Sequence, residues 1–455
     1  MNSFDEVPLS AFEFGRLLDA VGPFDVPPRV AVATSGGADS VALCLLTHQW
    51  AENRNSKCHA VIVDHGLRSN SVQESTQVAN WLICRGIDAH VLIWSGRKPV
   101  RGIQAAAREA RYDLLLSWCR ENQIRDLLLA HHRDDQAETF LLRLARKSGV
   151  DGLSAMAAVS HRGDVRLVRP LLELPKSRLV ATLKNLGHSW VEDSSNHDPA
   201  FARSRVRKLV PTLSDVGITA GGIAVTARRL GRARAALEFY ASELVRSGVE
   251  PHAAGFCWID REILLAAPEE VGLRVLSRVV AAVGAGRVPL RYLRLERAYS
   301  ALLRNRSSRG CTLSGCRIIP RGHRILVCRE NRGVGDRVTL QSGEKRRWDA
   351  RFDVSLLGSP SLATVQTCEV RRLGTEGWSL VAARSELRLH ERHSGIPAAA
   401  RATLPALWDH AGLLDVPHLN YRREGAQIAL DVKFAPTHPM VFPQFSVVSV
   451  DTAPI

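Results

Sequence analysis

The sequence predicts an α/β fold with a parallel sheet over residues 1–215, and three observations lead to this prediction. Short apolar runs alternate with longer segments in which apolar residues recur at helical spacing. The short runs are apolar at nearly every position, as expected for strands that helices cover on both faces. A loop rich in polar residues follows each of these strands, and ligands of such sheets lie beyond the carboxyl ends of the strands.

The individual elements follow from this alternation. We predict strands at Arg29–Thr34, His59–Asp64, His90–Trp94 and Asp126–Ala130. We predict helices at Asp39–Gln49, Ser71–Arg85, Gly102–Asn122 and Asp134–Arg146. A further strand at Arg166–Pro170 and a helix at Leu174–Leu186 are expected after them. The order is that of a Rossmann-like domain built around a parallel sheet.

Two further regions are expected, because 455 residues exceed what one hydrophobic core usually supports. We predict a mostly helical middle domain at 216–335, which ends in Cys311–Glu330, a stretch that alternates like a hairpin. A small α+β domain is expected at 365–455. The segment Gly333–Arg351 is the best candidate for a linker.

The chain is strongly basic, with a formal net charge of +15. Basic residues are concentrated in two segments, Phe201–Ala236 and Arg274–Arg309. The base composition of a genome can explain why arginine is used instead of lysine, but it does not explain an excess of bases over acids. The excess favours a polyanionic partner, because neutralising phosphates releases their counterions.

The composition disfavours several classes of protein. No stretch approaches the roughly 18–20 uninterrupted apolar residues that a membrane span needs. Met1–Ser10 lacks the basic region and apolar run of a secretory signal, and we therefore expect a cytoplasmic protein. The nine cysteines are scattered and never spaced as C-x-x-C, which disfavours a zinc site or an iron–sulfur cluster.

The loop after the first predicted strand, called the glycine loop here, reads Ser35-Gly36-Gly37-Ala38-Asp39-Ser40. Two glycines allow a sharp turn and a close approach to a ligand. The free N–H groups and the dipole of the following helix attract an anion, to which serine hydroxyls add donors. The loop has no lysine and is therefore not a Walker loop. A carboxylate at Asp39 would repel phosphates unless a divalent cation, such as Mg²⁺, lies between them.

A glutamine and two arginines share one face of the predicted helix at Gly102–Asn122. Gln104, Arg108 and Arg111 are spaced by four and three residues, which places them on one side of a helix. Planar, permanently charged guanidinium groups suit a clamp for phosphates. The alternative is a solvated face on which Glu109 pairs with an arginine.

Histidines and carboxylates follow the fourth predicted strand. His131, Asp135 and Glu138 would share one face if the next helix begins early. Carboxylates beside a nucleotide can hold Mg²⁺ or receive a cationic amine. Asp134 can equally be the N-cap of that helix. After the second strand, His65 is either a nucleotide contact or a cap on the strand end.

These motifs together resemble a known family. The glycine loop resembles that of the N-type ATP pyrophosphatases, the PP-loop group, which cleave ATP between the α and β phosphates. The later motifs resemble the tRNA(Ile)-lysidine synthetase family, in the same order along the chain. They are His131–Thr139, Lys147–Met156, Arg169–Leu172 and Trp190–Asn196, followed by Asp198, Phe201 and Arg203. Two later stretches resemble the later domains of the family more weakly, namely Thr312–Arg317 and Ile396 to Pro405.

The resemblance implies an ATP-dependent ligase that forms a carbon–nitrogen bond. In the family, the C2 oxygen of the wobble cytosine of a tRNA(Ile) with a CAU anticodon attacks the α-phosphate of ATP, and pyrophosphate leaves. The ε-amine of free L-lysine then attacks C2 and expels AMP, giving lysidine, which pairs with A instead of G. The implied cofactors are ATP and Mg²⁺, and the implied partners are tRNA(Ile) and lysine. The oligomeric state stays open, a homodimer included.

The resemblance also carries five catalytic residues onto this chain: Arg111, His131, Asp135, Glu138 and Arg203. Arg111 and Arg203 are expected to stabilise charge around the α-phosphate. Asp135 and Glu138 are expected to bind the ammonium group of lysine or to take its proton. His131 is expected to be a second base or a nucleotide contact. One departure is Ser204, which stands where the family usually has asparagine and can make fewer hydrogen bonds.

Three alternative functions remain open at this point. A tRNA thiolase of the same group is the main one, although the thiolases that bind an iron–sulfur cluster need paired cysteines. A synthetase acting on a small molecule would lack the additional basic domains. A nucleic-acid-binding protein with a degenerate nucleotide site is disfavoured by the intact glycine loop, in which Asp39 and Ser40 are present.

Overall fold

The structure is a computed structural model that describes residues 6–67, 70–96, 98–99, 102–191, 202–286, 288, 290–303, 310–335, 337–341, 343–357, 368–383, 395–441 and 445–447. Part of one predicted motif, Glu192–Asn196 with Asp198 and Phe201, lies outside the described residues. The chain divides into two units. The first comprises Met1–Ala235 together with Phe445–Ile455, and the second comprises Ala236–Gln444.

A six-stranded sheet forms the centre of the first unit. Its strands are β1 (Val30–Ala33), β2 (Cys58–Asp64), β3 (Asp88–Ile93), β4 (Asp126–Leu128), β5 (Val159–Arg162) and β6 (Val165–Val168). They lie in the order β3-β2-β1-β4-β6-β5. Neighbouring strands pair in parallel, apart from β5, which pairs antiparallel with β6. The predicted α/β fold of this region is confirmed, and β5 is an additional edge strand that the sequence analysis missed.

The helices of the first unit include every helix predicted there. They are α1 (Ala11–Asp19), α2 (Ala38–Glu52), α3 (Ser71–Ile83), α4 (Ile103–Glu121), α5 (Arg133–Ala145), α6 (Val150–Leu153), α7 (Lys176–Asn185) and α8 (Ala202–Asp215). α1, α6 and α8 come in addition to the predicted elements. Asp134 is not the N-cap of α5, because His132 occupies that position and Asp134 lies in the first turn.

Alternate residues of β1 pack into two different hydrophobic clusters. Val30 and Val32 belong to a cluster that includes buried residues of α2, α3 and α7. Ala31 and Ala33 face a second cluster, which contains buried residues of α4. Helices therefore cover both faces of the sheet, which explains why the strands are apolar at nearly every position.

The strand order places a crevice at the carboxyl ends of β1 and β4. The chain runs from β1 to β2 and β3 on one side, and then returns to place β4 on the other side of β1. Loops that leave two adjacent strands in opposite directions separate at this point, and such a switch point is the usual ligand site of open α/β sheets. The loops that separate here are the glycine loop and the segment that begins at His131.

The C-terminal segment 445–447 packs on the first unit. The N–H of Ala158 donates to the carbonyl oxygen of Ser446 at 3.0 Å. The guanidinium of Arg234 lies over the ring of Phe445, 4.3 Å from its centroid. A Cβ at Gly231 would lie 3.0 Å from the Phe445 ring, so a glycine favours this close approach. These contacts explain why residues so far apart in sequence belong to one unit.

Helix α9 (Ala220–Gly248) leads into the second unit, which contains further helices and three sheets. The helices are α10 (Arg261–Ala266), α11 (Glu269–Val283), α12 (Tyr292–Leu303), α13 (Gly374–Ala382) and α14 (Ala398–Arg401). Among the described residues no single helix is long and apolar enough to cross a membrane. α8 and α9 meet that test, by length and composition only, as a pair bent by 102°.

The strands of the second unit pair antiparallel. The first sheet has the order β7-β8-β11-β10-β9, with β7 (Val249–His252), β8 (Phe256–Asp260), β9 (Cys311–Leu313), β10 (Cys316–Arg321) and β11 (Arg324–Arg329). The second has the order β12-β15-β16-β17-β18, with β12 (Val338–Leu340), β15 (Cys368–Arg372), β16 (Pro405–Asp409), β17 (Gly412–Val416) and β18 (Tyr421–Arg422). The third has the order β13-β14-β19, with β13 (Lys345–Trp348), β14 (Phe352–Leu357) and β19 (Ala429–Phe434). β12 and β13 lie within Gly333–Arg351, so the expectation of a linker there is wrong.

A buried group of charges crosslinks the second unit. Asp349 accepts hydrogen bonds from Arg329 at 3.1 Å and from Arg351 at 2.7 Å, and all three side chains are at most 2% exposed. The remaining guanidinium donors reach backbone carbonyls, those of Gly315 and Gly255 among them. Burial alone would raise the pKa of Asp349, but the two guanidinium groups hold it below its ordinary value. The group joins β11, the turn before β14 and the turn before β8.

We expect Asp349→Asn to destabilise the second unit by about 3–5 kcal/mol, because two buried guanidinium groups would lose their counter-charge. The matched control is Asp353→Asn on β14, which removes ion pairs with Lys345 and Arg347 whose side chains are 66% and 43% exposed. Exposed pairs contribute at most about 1 kcal/mol. Chemical denaturation followed by circular dichroism measures both variants. Equal destabilisation by the two substitutions would show that the buried group is not a structural crosslink.

Candidate active site

A cavity of about 1750 Å³ brings the predicted site residues together in the first unit. Ser35, Gly37, Ala38, Asp39 and Ser40 of the glycine loop line it. All five residues predicted to be catalytic also line it, namely Arg111, His131, Asp135, Glu138 and Arg203. Gly36 is buried and is the one residue of the glycine loop that does not line the cavity. Arg111 comes from α4 and Arg203 from α8, so four separate segments of the chain meet at the cavity.

Gly36 and Gly37 have different roles in the glycine loop. Gly36 has φ +86°, and a Cβ there would lie 2.6 Å from a methyl carbon of Val78. Its carbonyl oxygen accepts a hydrogen bond from the N–H of Val191 at 2.9 Å. Gly37 is the N-cap of α2 with an ordinary φ of −71°, and a Cβ there would meet only the Ser35 hydroxyl at 3.7 Å. The turn therefore requires glycine at position 36 alone.

The Ser40 hydroxyl holds the loop in shape. It accepts a hydrogen bond from the N–H of Ser35 at 3.0 Å and donates to the carbonyl oxygen of Gly37 at 3.0 Å. Its proton is thus directed at the loop backbone and not at the cavity. The Ser35 side chain is exposed, and its hydroxyl lies 3.2 Å from that of Ser40. Because the Ser40 proton goes to Gly37, the Ser35 hydroxyl is the donor between the two serines, and as the exposed one it can turn from Ser40 to a phosphate.

His132 connects the glycine loop to the start of α5. Its Nε2 lies 3.5 Å from a carboxylate oxygen of Asp39 and 3.5 Å from one of Asp135, while its Nδ1 lies 3.4 Å from Asp134. Its side chain is 4% exposed. Burial alone would lower the pKa of His132, but the close carboxylates of Asp134 and Asp39, together with the charge of Asp135, raise it to about 10. The imidazole is therefore a buried cation among three carboxylates.

The neighbouring His131 is in the opposite state. Burial, together with the positive charges of Arg169, Arg111 and Arg203, lowers the pKa of His131 well below its ordinary value. A neutral imidazole can accept a proton or a hydrogen bond, which an imidazolium cannot. His131 Nδ1 is buried and has no hydrogen-bond partner within the described residues. Because α5 begins at Arg133, His131 precedes the helix and does not share its face with Asp135 and Glu138.

The two predicted carboxylates of α5 are held differently. Asp135 accepts a hydrogen bond from the backbone N–H of His132 at 3.2 Å. Glu138 is buried, with 3% of its side chain exposed, and its Oε1 accepts from Arg207 Nε at 2.5 Å. Its Oε2 is buried without a hydrogen-bond partner in the part of the chain that the structure describes. A buried carboxylate oxygen without a donor is a strong acceptor for a cationic ligand.

Asp39 has one oxygen held by cations and one without a partner. Its Oδ2 lies 3.5 Å from His132 Nε2 and 3.3 Å from Lys176 Nζ. Burial would raise the pKa of Asp39, but the contacts with His132 and Lys176 lower it. Its Oδ1 is buried and unpartnered as far as the described residues show.

The unpartnered oxygen of Asp39 suits a divalent cation. Mg²⁺ is commonly held by one or two carboxylates together with the phosphates of a substrate, and it keeps several waters. The described residues contain no group of three or more His, Cys, Asp or Glu side chains arranged to hold a metal ion. Asp39 therefore fits Mg²⁺ as a single protein ligand whose other ligands come from a bound nucleotide and water.

Sequence reasoning missed three residues of this site: His132, Lys176 and Arg207. For His132 the signal was present, since two adjacent histidines at a strand end are costly to bury without partners. Arg207 follows Arg203 at i+4 on α8, so helical spacing could have found it. For Lys176 no local signal exists. Its contact with Asp39 depends on how α7 packs beside α2.

The chain was compared with known proteins. A family model described as the PP-loop domain matches residues 12–213. A tRNA(Ile)-lysidine synthase from Ruegeria pomeroyi is 36% identical over 86% of this chain and 88% of that protein. Those from Wolbachia pipientis and Methylobacterium nodulans are 37% and 42% identical, over 74% and 68% of this chain and 79% and 92% of the relatives. The chain belongs to the tRNA(Ile)-lysidine synthase family.

Membership of the tRNA(Ile)-lysidine synthase family agrees with the resemblance that the motifs gave. A solved structure of a U34-tRNA thiolase, NcsA from Methanococcus maripaludis with its [4Fe-4S] cluster, has a TM-score of 0.43. It is 18% identical, over 49% of this chain and 78% of that chain. A likeness this distant does not favour the thiolase alternative.

We expect Gly36→Ala to lower the stability of this lysidine synthase family member by about 1–3 kcal/mol, because alanine would adopt a strained φ and its methyl group would overlap Val78. Gly37→Ala is the matched control, since its backbone suits alanine and its Cβ has room. Thermal unfolding compares the two variants with the unmodified protein. If both glycines tolerated alanine equally, the assignment of the turn to Gly36 would be wrong.

Proposed function

We propose that this protein is an ATP-dependent ligase that joins L-lysine to C2 of the wobble cytidine of a tRNA(Ile) with a CAU anticodon. The product would be lysidine, and the tRNA would read AUA in place of AUG. One observation carries the proposal beyond family membership. A single cavity contains a phosphate-binding loop, two arginines, a neutral histidine and a buried carboxylate with an unpartnered oxygen. These are the groups that the two steps of the reaction require.

In the first step the C2 oxygen of cytidine attacks the α-phosphate of ATP, and pyrophosphate leaves. The N–H groups at the start of α2 and the helix dipole suit the negative charge of the departing pyrophosphate. The exposed hydroxyl of Ser35 adds a donor at the same place. Mg²⁺ held at Asp39 supplies further neutralisation of phosphate charge when it is bound.

Arg111 and Arg203 are proposed to stabilise the α-phosphate during this attack. Both line the cavity, and the charges of both lower the pKa of His131, so the three side chains are neighbours. Burial lowers the pKa of Arg111, but a guanidinium remains charged under all ordinary conditions. The neutral His131 can then contact the nucleotide without adding a further positive charge. If it acts as a base instead, it takes up a proton and becomes charged beside these arginines.

In the second step the ε-amine of lysine attacks C2 and AMP leaves. The amine arrives as an ammonium ion and must lose one proton before it can attack. Glu138 is proposed to bind this ammonium through its unpartnered Oε2, with Asp135 nearby on the same helix. The carboxylate pair then receives the proton, and the neutral amine forms the carbon–nitrogen bond.

We expect Glu138→Gln to reduce lysine transfer by about 10²–10⁴-fold, because glutamine keeps the volume but neither attracts the ammonium nor takes its proton. Release of pyrophosphate in a single turnover should continue, since the first step does not use Glu138. The measurements are incorporation of labelled lysine into unmodified tRNA(Ile) and rapid-quench assay of pyrophosphate.

The matched control is Glu121→Gln at the exposed end of α4, which should leave both steps unchanged. If Glu138→Gln reduced pyrophosphate release and lysine transfer equally, the carboxylate would be needed for the first step or for folding, and not specifically for lysine. Unchanged lysine transfer would remove it from the reaction. If the unmodified protein incorporated no ATP-dependent lysine at all, the proposed function itself would be wrong.

We also propose that the basic segments bind the tRNA backbone. Arg229 and Arg232 on α9 are exposed, whereas Arg228 is half-buried and pairs with Glu173 at 3.0 Å. In this proposal two regions contact the tRNA: 216–335, which combines the helices α9–α12 with the sheet of β7–β11, and 365–455, which mixes helices and strands. The enzyme would work in the cytoplasm, where its tRNA, lysine and ATP meet, as a monomer or a homodimer.

The double variant Arg229→Glu/Arg232→Glu is expected to weaken tRNA binding and to make its salt dependence shallower. The slope of log K against log salt should change by about 1 for each phosphate that the variant no longer neutralises. Arg16→Glu/Lys57→Glu changes the charge by the same amount at exposed positions outside the basic segments and should have little effect. Filter binding at several salt concentrations measures both. If both double variants had the same slope of log K against log salt, the tRNA would not bind at Arg229 and Arg232.

A further inference from the structure

The glycine loop contains no basic side chain, although it is proposed to hold the pyrophosphate end of ATP. Loops of the Walker type solve this problem with a lysine of their own, which reaches the β and γ phosphates. Within the described part of the chain, Asp39 pairs with two cations, and both come from outside the glycine loop. They are His132, which follows β4, and Lys176, the first residue of α7.

Only one of these two cations is positioned to meet a ligand. The His132 side chain is 4% exposed and lies among three carboxylates, so its charge is already balanced. The Lys176 side chain is 49% exposed and lines the cavity. Its Nζ lies 3.3 Å from Oδ2 of Asp39, and Asp39 belongs to the glycine loop that is proposed to bind phosphate.

The base of the Lys176 side chain is fixed by the fold. Its backbone N–H donates to Asp134 Oδ2 at 2.9 Å. Pro175 precedes it as the N-cap of α7, and the buried residues Leu179 and Leu183 anchor that helix in the same hydrophobic cluster as α2. The fold therefore delivers an ammonium group on a four-carbon stem to the glycine loop, with its tip open to the cavity.

We propose that Lys176 binds the pyrophosphate end of ATP and supplies the cation that the glycine loop lacks. An ammonium group has three donors, so Lys176 can contact phosphate oxygens and keep its contact with Asp39 Oδ2. Asp39 Oδ1 remains available to a metal ion. The inference rests on the proposed function, because it assumes that ATP binds with its β and γ phosphates at the glycine loop.

Calorimetric titration of the full chain tests this assignment, with inorganic pyrophosphate, ATP and AMP as separate probes at one fixed Mg²⁺ concentration. Lys176→Ala is expected to weaken pyrophosphate and ATP binding about tenfold or more, the usual effect of removing a hydrogen bond to a charged group. AMP, which lacks the β and γ phosphates, should bind unchanged. Lys176→Arg should retain most of the affinity, because it keeps a positive charge at the same place.

Lys57→Ala is the matched control. Lys57 is exposed and precedes β2, at the amino ends of the parallel strands, whereas the glycine loop lies at their carboxyl ends. Its removal should change none of the three affinities. Equal pyrophosphate affinity in Lys176→Ala and the unmodified protein would overturn the proposal. A proportional fall in AMP affinity would also overturn it, since Lys176 would then only maintain the shape of the site. If the unmodified protein bound neither ATP nor pyrophosphate, the proposed function would fail first.

Discussion

One buried imidazolium, that of His132, joins the two halves of the site. It follows β4, yet it contacts Asp39 in the loop after β1 as well as Asp134 and Asp135 on its own segment. Three carboxylates this close would repel one another, and a cation among them offsets this repulsion. The contact is possible only because β1 and β4 are adjacent where the strand order reverses. The glycine loop and the start of α5 therefore form one structure.

Adjacent histidines with opposite charge states follow from this arrangement. His132 faces carboxylates, which raise its pKa to about 10, while His131 faces arginines, which together with burial lower its pKa and keep it neutral. The negative side of the site retains two buried oxygens without donors among the described residues, on Asp39 and Glu138. The two oxygens have different proposed ligands. Asp39 lies in the glycine loop and is proposed to bind Mg²⁺ beside the phosphates, whereas Glu138 lies in the second turn of α5 and is proposed to bind the ammonium of lysine. Separate environments thus allow one cavity to take an anionic nucleotide and a cationic amine.

Local patterns were sufficient to predict five of the six strands of the sheet, the helices α2, α3, α4, α5 and α7, and the glycine loop. Strands covered on both faces are apolar at every position, and a loop that needs φ +86° at Gly36 needs glycine there. Contacts between residues far apart in the sequence could not be predicted from local patterns. Neither the choice between His131 and His132 nor the approach of Lys176 to Asp39 is encoded in spacing, because each depends on which strands and helices become neighbours. The strands β12 and β13 were missed because each has only three or four residues and β13 is mostly basic, so the segment resembles a linker.

The claim on which the account depends is that a cytidine oxygen takes the AMP of ATP before lysine arrives. It can be tested most directly by incubating the protein with unmodified tRNA(Ile) and ATP labelled at the α-phosphate, with lysine omitted. The account predicts that label becomes attached to the tRNA at the wobble nucleotide and is released as AMP when lysine is added. Lysine-dependent modification of the tRNA without any such labelled intermediate would contradict it.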